Sequence, residues 1–252
     1  MSMEIPSPGR LLISRQCGVI TRRQALAAGL PATTVESWAE RGRWTRLARG
    51  IYATAPGPPS PDALLWAALL RAGPDAVLSH QTAAELHGLL PRPGPVIHVT
   101  VPARRNPARA GTMPGIVVHR SDRAGHGGYR AGAAGAGGGR RPPHTRIDET
   151  VIDLTQTSAS FGEAFSWLVR AIAQGLTTPR RLSRNVAARP RLHWRAEIGR
   201  ALAELARSDR PVPDPPAPPR RGRGGPTARG GGTSDGGADR FRPCKRAMHG
   251  TC

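Results

Sequence analysis

The first residues in this chain whose types and spacing suggest chemistry are four histidines and a group of carboxylates. His80 and His87 lie seven apart, about two helical turns, and so fall roughly on one face of a helix. Two such imidazoles can hold a metal ion, but no third ligand stands near them in the sequence. Structural roles are the simpler reading: His80 beside a helix start, and His87 at a helix end, where an imidazolium meets the helix dipole. His98 and His119 belong to the alternating stretches VIHVTV and IVVH and read as lining one face of a sheet. Glu149 and Asp153 are four apart, with Asp148 beside them, a spacing that can bind a metal or do acid–base work. Arg146, one turn before Glu149 and Thr150, accounts for them by local ion pairing and helix-start electrostatics. Cys17, at the end of an expected helix, reads as a buried thiol. The glycine run 135–139 neither follows a strand nor opens a helix, so it is no phosphate loop. No catalytic, metal-binding or cofactor-binding constellation is expected.

The remaining chemistry is nucleic-acid recognition, and it concentrates between Gly18 and Tyr52. Thr21 followed by Gln24 forms a capping box ahead of a short helix, Arg22 to Ala28. Gly29 turns the chain and Pro31 opens a second helix, which stops at Gly42. The segment RWTRLARGIY then reads as a basic hairpin turning at Ala48-Arg49-Gly50. Helix, tight turn, helix and arginine-rich hairpin is the order of a winged helix-turn-helix. With Val35 and Trp38 inward, the second helix offers Thr33, Thr34, Glu36, Ser37 and Arg41 to the major groove. Arg43, Arg46 and Arg49 are expected on phosphates or in the minor groove, and Arg22 and Arg23 on phosphates.

The formal charge of +20, from 37 basic against 17 acidic residues, fits a polyanionic partner, nucleic acid before an anionic membrane surface. Only Lys245 among the basic residues is a lysine, and the chain is rich in Arg, Ala, Gly and Pro. All four are residues with GC-rich codons, so the placement of the charge says more than its total. Cys17, Cys244 and Cys252 have neither metal spacing nor a disulfide pattern, which fits a reduced cytoplasmic chain. The N-terminus has no apolar signal region, and no run of about 18 apolar residues suggests a membrane span.

Pro56 to Pro61 reads as a linker. Beyond it, helices are expected over Asp62–Ala72 and from Ser79 to Gly88, then two strands, Val96–Val101 and Ile116–His119, that can pair. Four further helices are expected between Thr145 and Leu205. The fold class is α+β: a winged helix-turn-helix over 1–55, then a small sheet with helices over 62–207, with a loose loop at 123–144. Residues 208–252 hold 17 Pro plus Gly among 45 residues and are expected to be disordered. This tail supplies +5, so residues 1–207 still carry +15.

The phrases LARGIYA, LSHQTAAELHGL, IHVTVP and TRIDETVIDL resemble actinobacterial proteins related to the AbiEi-type antitoxins of type IV, abortive-infection, toxin–antitoxin systems. The resemblance covers residues 10–207. It implies that Thr21–Tyr52 binds double-stranded DNA at the promoter of the chain's own operon, and that residues 62–207 counter a nucleotidyltransferase-like toxin. Many relatives continue into a nuclease-like domain similar to very-short-patch-repair endonucleases. Residues 208–252 offer neither a sheet nor a carboxylate cluster for one. The tail is expected to be an out-of-frame reading: if Pro226-Thr227-Ala228 is encoded CCCACGGCC, a shifted frame reads His-Gly, part of the Ala-His-Gly-Leu phrase such relatives carry. The sequence thus points to a DNA-binding autoregulator. Two readings stand beside it: an endonuclease-like protein that has lost its nuclease domain, and a protein-interaction module.

Overall fold

The computed structural model describes residues 4–92, 94–104, 113–124, 130–131 and 141–208. The chain starts with α1 (Ser7–Arg15), with prolines at its N-terminal turn, and leads into a short strand, β1 (Val19–Thr21). The capping box forms as the sequence implies. Thr21 Oγ1 accepts from the Gln24 backbone N–H at 3.1 Å, and Gln24 Oε1 accepts from the Thr21 N–H at 2.9 Å. Two otherwise unpaired N–H groups are satisfied at the start of α2 (Arg22–Ala27). Gly29, at φ 93°, takes a left-handed conformation that favours glycine and reverses the chain into α3 (Ala32–Glu40). Past Gly42, the Trp44 N–H donates to the Trp38 carbonyl at 2.9 Å, folding the chain back under α3. The hairpin follows as β2 (Thr45–Ala48) and β3 (Ile51–Ala53), turning through Arg49-Gly50.

β3 is the centre of a three-stranded antiparallel sheet in the order β1-β3-β2. Ile20 lies opposite Tyr52, and a bulge separates Arg46 from Ala48 on β2. β1 escapes a reading by periodicity because three residues are too few to show alternation and both apolar ones are buried. Ile20 packs with Ala25, Leu30, Val35, Trp38, Trp44 and Tyr52, while Val19 packs with Ile51, Ala63 and Ala67.

Ala63 and Ala67 belong to α4 (Pro61–Ala72), capped by Ser60 Oγ on the Ala63 N–H. The same helix turns Leu65, Ala68 and Leu69 toward a further core containing Leu78, Val99 and Val101. This double burial is why the helix is apolar nearly all round.

β4 (Val77–Leu78) and α5 (His80–Leu86) follow, then β5 (Ile97–Pro102) and β6 (Ile116–Ser121). With β7 (Arg130–Ala131) and β8 (His144–Thr145) they make a mixed sheet in the order β6-β5-β4-β8-β7. β5 and β6 pair as expected, in parallel, with Thr100 opposite His119 and His98 opposite Val117. Within the stretch expected as a loose loop, Arg130–Ala131 instead pairs with β8, and His144 is buried; residues 125–129 and 132–140 lie outside the described residues.

Four helices complete this part: α6 (Ile147–Thr157), α7 (Phe161–Ala173), α8 (Pro179–Ala187) and α9 (Arg195–Ser208). Their shared core includes Val151, Leu154, Leu168, Leu182, Ile198 and Leu202. The protein is a mixed α+β fold. The expectation of a disordered, out-of-frame tail falls on residues outside those described, apart from Ser208, which ends α9.

Candidate nucleic-acid interface

Two contacts tie α2, α3 and the hairpin together. The Arg22 backbone N–H donates to the Gly50 carbonyl at 2.8 Å, fixing the hairpin turn against the start of α2. The Arg22 guanidinium donates to Glu36 Oε1 at 2.9 Å, joining the start of α2 to the exposed side of α3. Both side chains of this pair are about half exposed. Such a pair contributes about 0–1 kcal/mol and exchanges readily for a phosphate or a base. Glu36 and Arg22 thus reach one another before any ligand arrives.

Along α3, Thr33 and Glu36 are exposed and Ser37 is half-buried. Thr34 departs from its expected place: it is buried at 9% exposure, beside Val35. It stands next to the inward face of the helix and is removed from the outward set. Arg41 caps the C-terminus of α3 and is exposed.

The arginines around the hairpin are exposed, and two of them rest on aromatic rings. Arg43 lies over Trp38 with its guanidinium carbon 4.5 Å from the ring centroid, and Arg46 lies over Tyr52 at 5.8 Å. Trp38, Trp44 and Tyr52 pack in turn against one another, with centroids 5.0 and 5.8 Å apart. The aromatic core therefore orients the cationic surface, each stacked guanidinium gaining a cation–π contact of about 0.5–1 kcal/mol. Arg49 occupies the exposed turn, and Arg23 is exposed on α2.

The sheet that begins with β4 holds a second arrangement: His98 and His119 line one face as expected, and His80 joins them, which sequence reasoning missed. His80 meets not His87 but His98 and His119. The His80 and His119 rings stack with centroids 3.7 Å apart, and His98 Nδ1 lies 3.0 Å from His119 Nε2. Parallel register explains the meeting. His98 and Thr100 share a face of β5, and the residues opposite them, Val117 and His119, share that face of β6. Burial, reinforced by the other two imidazoles, lowers His80 from its ordinary value to about 3. Burial and then His98 lower His119 to about 4. Ser79 precedes α5 but makes no side-chain cap; its Oγ accepts from Thr100 Oγ1 at 2.7 Å and contacts His80 Nδ1 at 3.0 Å. His80 itself has φ 49°, a left-handed conformation uncommon for a residue with a side chain.

His80 and His119 open onto a cleft of about 770 Å³ that Arg123, Asp153 and Arg189 also line. Arg189 is buried between two buried carboxylates, bonding to Asp153 Oδ1 at 2.8 Å and to Glu149 Oε2. Arg123 binds the other oxygen of Glu149 at 2.6 Å. Burial by itself would raise the Glu149 carboxyl; the two arginines outweigh it and hold the group below its ordinary value. The carboxylates read as a local pair with Arg146 are also held by arginines 26 to 40 residues away. Asp148 turns elsewhere, to Arg181 at 2.9 Å and to Thr177.

His87 also departs from expectation. It caps α5, but its Nε2 meets the Thr145 carbonyl at 2.8 Å, and burial first of all lowers its pKa, which disfavours the charged form that the helix end would attract. Cys17 is half-buried at φ 51°, not fully enclosed.

Residues 10–55, which contain these exposed arginines and α3, match the family model described as transcriptional regulator, AbiEi antitoxin. The resemblance to AbiEi-type antitoxins holds over that stretch. The chain is also similar in structure to the RV2827C protein from Mycobacterium tuberculosis, with a TM-score of 0.49 and 20% identity, covering 81% of this chain and 80% of that one. No curated protein matches. Among the described residues, no helix is long and apolar enough to cross a membrane.

Proposed function

We propose that the protein is a DNA-binding transcriptional autoregulator of the AbiEi antitoxin type, in which Thr21–Tyr52 is a winged helix-turn-helix reading double-stranded DNA. The observation that supports it most is the joint presentation of α3 and a basic hairpin anchored to α2 by the Arg22–Gly50 hydrogen bond. In a helix-turn-helix the second helix enters the major groove while flanking basic groups meet the backbone. Thr33, Glu36, Ser37 and Arg41 are the base-edge candidates. Arg22, Arg23, Arg43, Arg46 and Arg49 are the phosphate or minor-groove candidates. The family match over residues 10–55 supports a regulator of this class.

In this reading residues 1–55 form the DNA-binding part and residues 62–207 the antitoxin-like part, which acts in the cytoplasm against a nucleotidyltransferase-like toxin. Fluorescence-anisotropy titration of the full chain on its own promoter, against a scrambled duplex and over a salt series, tests the first claim. Tighter binding to the promoter, weakening steeply with salt, is the expected result. Equal binding to both duplexes would remove the sequence-reading claim, and failure to bind either at any salt concentration would favour a protein-interaction module instead. Co-expression with the product of a neighbouring nucleotidyltransferase-like gene tests the second claim, and unrelieved growth arrest would remove it.

A further inference from the structure

We propose that His80, His98 and His119 form a binding site for one divalent transition-metal ion of the zinc class. The inference rests on the sheet geometry and is independent of the DNA-binding reading.

One nitrogen from each ring lies within 4.8 Å of those of the other two. Around a tetrahedral zinc with Zn–N bonds of about 2.0–2.1 Å, neighbouring ligand atoms stand about 3.3 Å apart. The His98 Nδ1 to His119 Nε2 separation of 3.0 Å is already close to that spacing. Closing the triangle requires the His80 and His119 rings to turn out of their stacked arrangement so that the three nitrogen lone pairs converge on one point. In the metal-free protein one of these two rings donates an N–H to the other; on binding, that ring's proton moves to its second nitrogen and both facing atoms become ligands.

His80 is oriented for this role. The contact of its Nδ1 with Ser79 Oγ, itself held by Thr100, fixes the ring and leaves Nε2 for the ion. Its left-handed backbone is strained, and strain of this kind gathers at ligand sites. An all-imidazole donor set suits zinc, cobalt, nickel or copper and not calcium or magnesium, which prefer oxygen. Arg189, whose charge acts on His80, is offset by Glu149 and Asp153. Since His80 and His119 line the cleft, a fourth position remains there for water or an anion.

The test uses the full chain stripped with chelator and titrated with Co²⁺. We expect one equivalent to bind with the visible spectrum of a tetrahedral nitrogen site and to be displaced by Zn²⁺. His98→Gln and His119→Gln should each weaken binding at least tenfold, with circular dichroism confirming that they fold. His87→Gln should bind like the unaltered protein. Absence of stoichiometric binding overturns the site. So does binding that survives the two glutamine changes, or that is lost on Cys244→Ser with Cys252→Ser. If the glutamine variants do not fold, carbethoxylation of the unaltered protein still decides: Zn²⁺ should protect His119 and leave His193 reactive. Unprotected His119 rejects the proposal.

Discussion

Arg46 rests on Tyr52, so its guanidinium is already oriented for the DNA contact proposed for it. As a backbone contact, Arg46→Ala should weaken binding to promoter and scrambled duplex alike and reduce the salt slope by about 1. Substitution of Ser37 should alter sequence preference and leave that slope unchanged. Parallel titrations at several salt concentrations separate the two outcomes, and an unaltered slope for Arg46→Ala would count against a DNA-contacting hairpin. Arg189 belongs to the same scale but to stability. Arg189→Ala leaves two carboxylates buried with too little positive charge, a loss of about 3–5 kcal/mol, readable by urea unfolding. The depressed Glu149 carboxyl sets a pH dependence. Its ionised form is favoured in the folded state, so its stabilisation is complete above the ordinary glutamate range, near pH 4.5, and is lost as pH falls through the lower folded value. Unfolding midpoints followed from pH 6 downward should show this loss, reduced in Glu149→Gln.

At the scale of elements, α2 has only six residues and cannot be stable alone. Its start is fixed by the Thr21–Gln24 box and by the Gly50 carbonyl. Thr21→Ala should lower stability by about 1 kcal/mol, measurable as a lowered denaturant midpoint. Gly50→Val should reduce DNA affinity as well, because φ 70° strains a β-branched residue and displaces the hairpin turn. The box, the Gly29 turn and the hairpin were legible in the sequence because each is local chemistry of a few neighbouring residues. β1 and β4 were not, since a strand of two or three residues carries no period. The outward assignment of Thr34 failed for a related reason: helical spacing gives an angle, and its neighbours decide how far the buried stripe spreads.

At the scale of the molecule, α4 is the element that two cores share. Val19 and Ile51 are covered by Ala63 and Ala67, and Leu65 and Leu69 of the same helix enter the core beside β5. A fragment ending at residue 55 should therefore expose Val19 and Ile51. We expect it to melt well below the full chain, by circular dichroism; an equal melting temperature would show that residues 1–55 need no support from α4. The proline-rich segment before α4 reads as a linker in the sequence, while the apolar packing beyond it is continuous.

The sequence by itself determined the order of the helices, the α+β class, the capping of α2, the basic hairpin, the β5 and β6 strands and the inward faces of most helices. These follow from spacing and turn chemistry within about one turn or one strand. Only tertiary structure decided which distant side chains meet. His80 joins His98 and His119 because β5 and β6 pair in parallel and in one register. Glu149 and Asp153 are held by Arg189 because α8 ends beside α6. Such meetings depend on strand register and helix packing, which bring together residues that no local spacing relates.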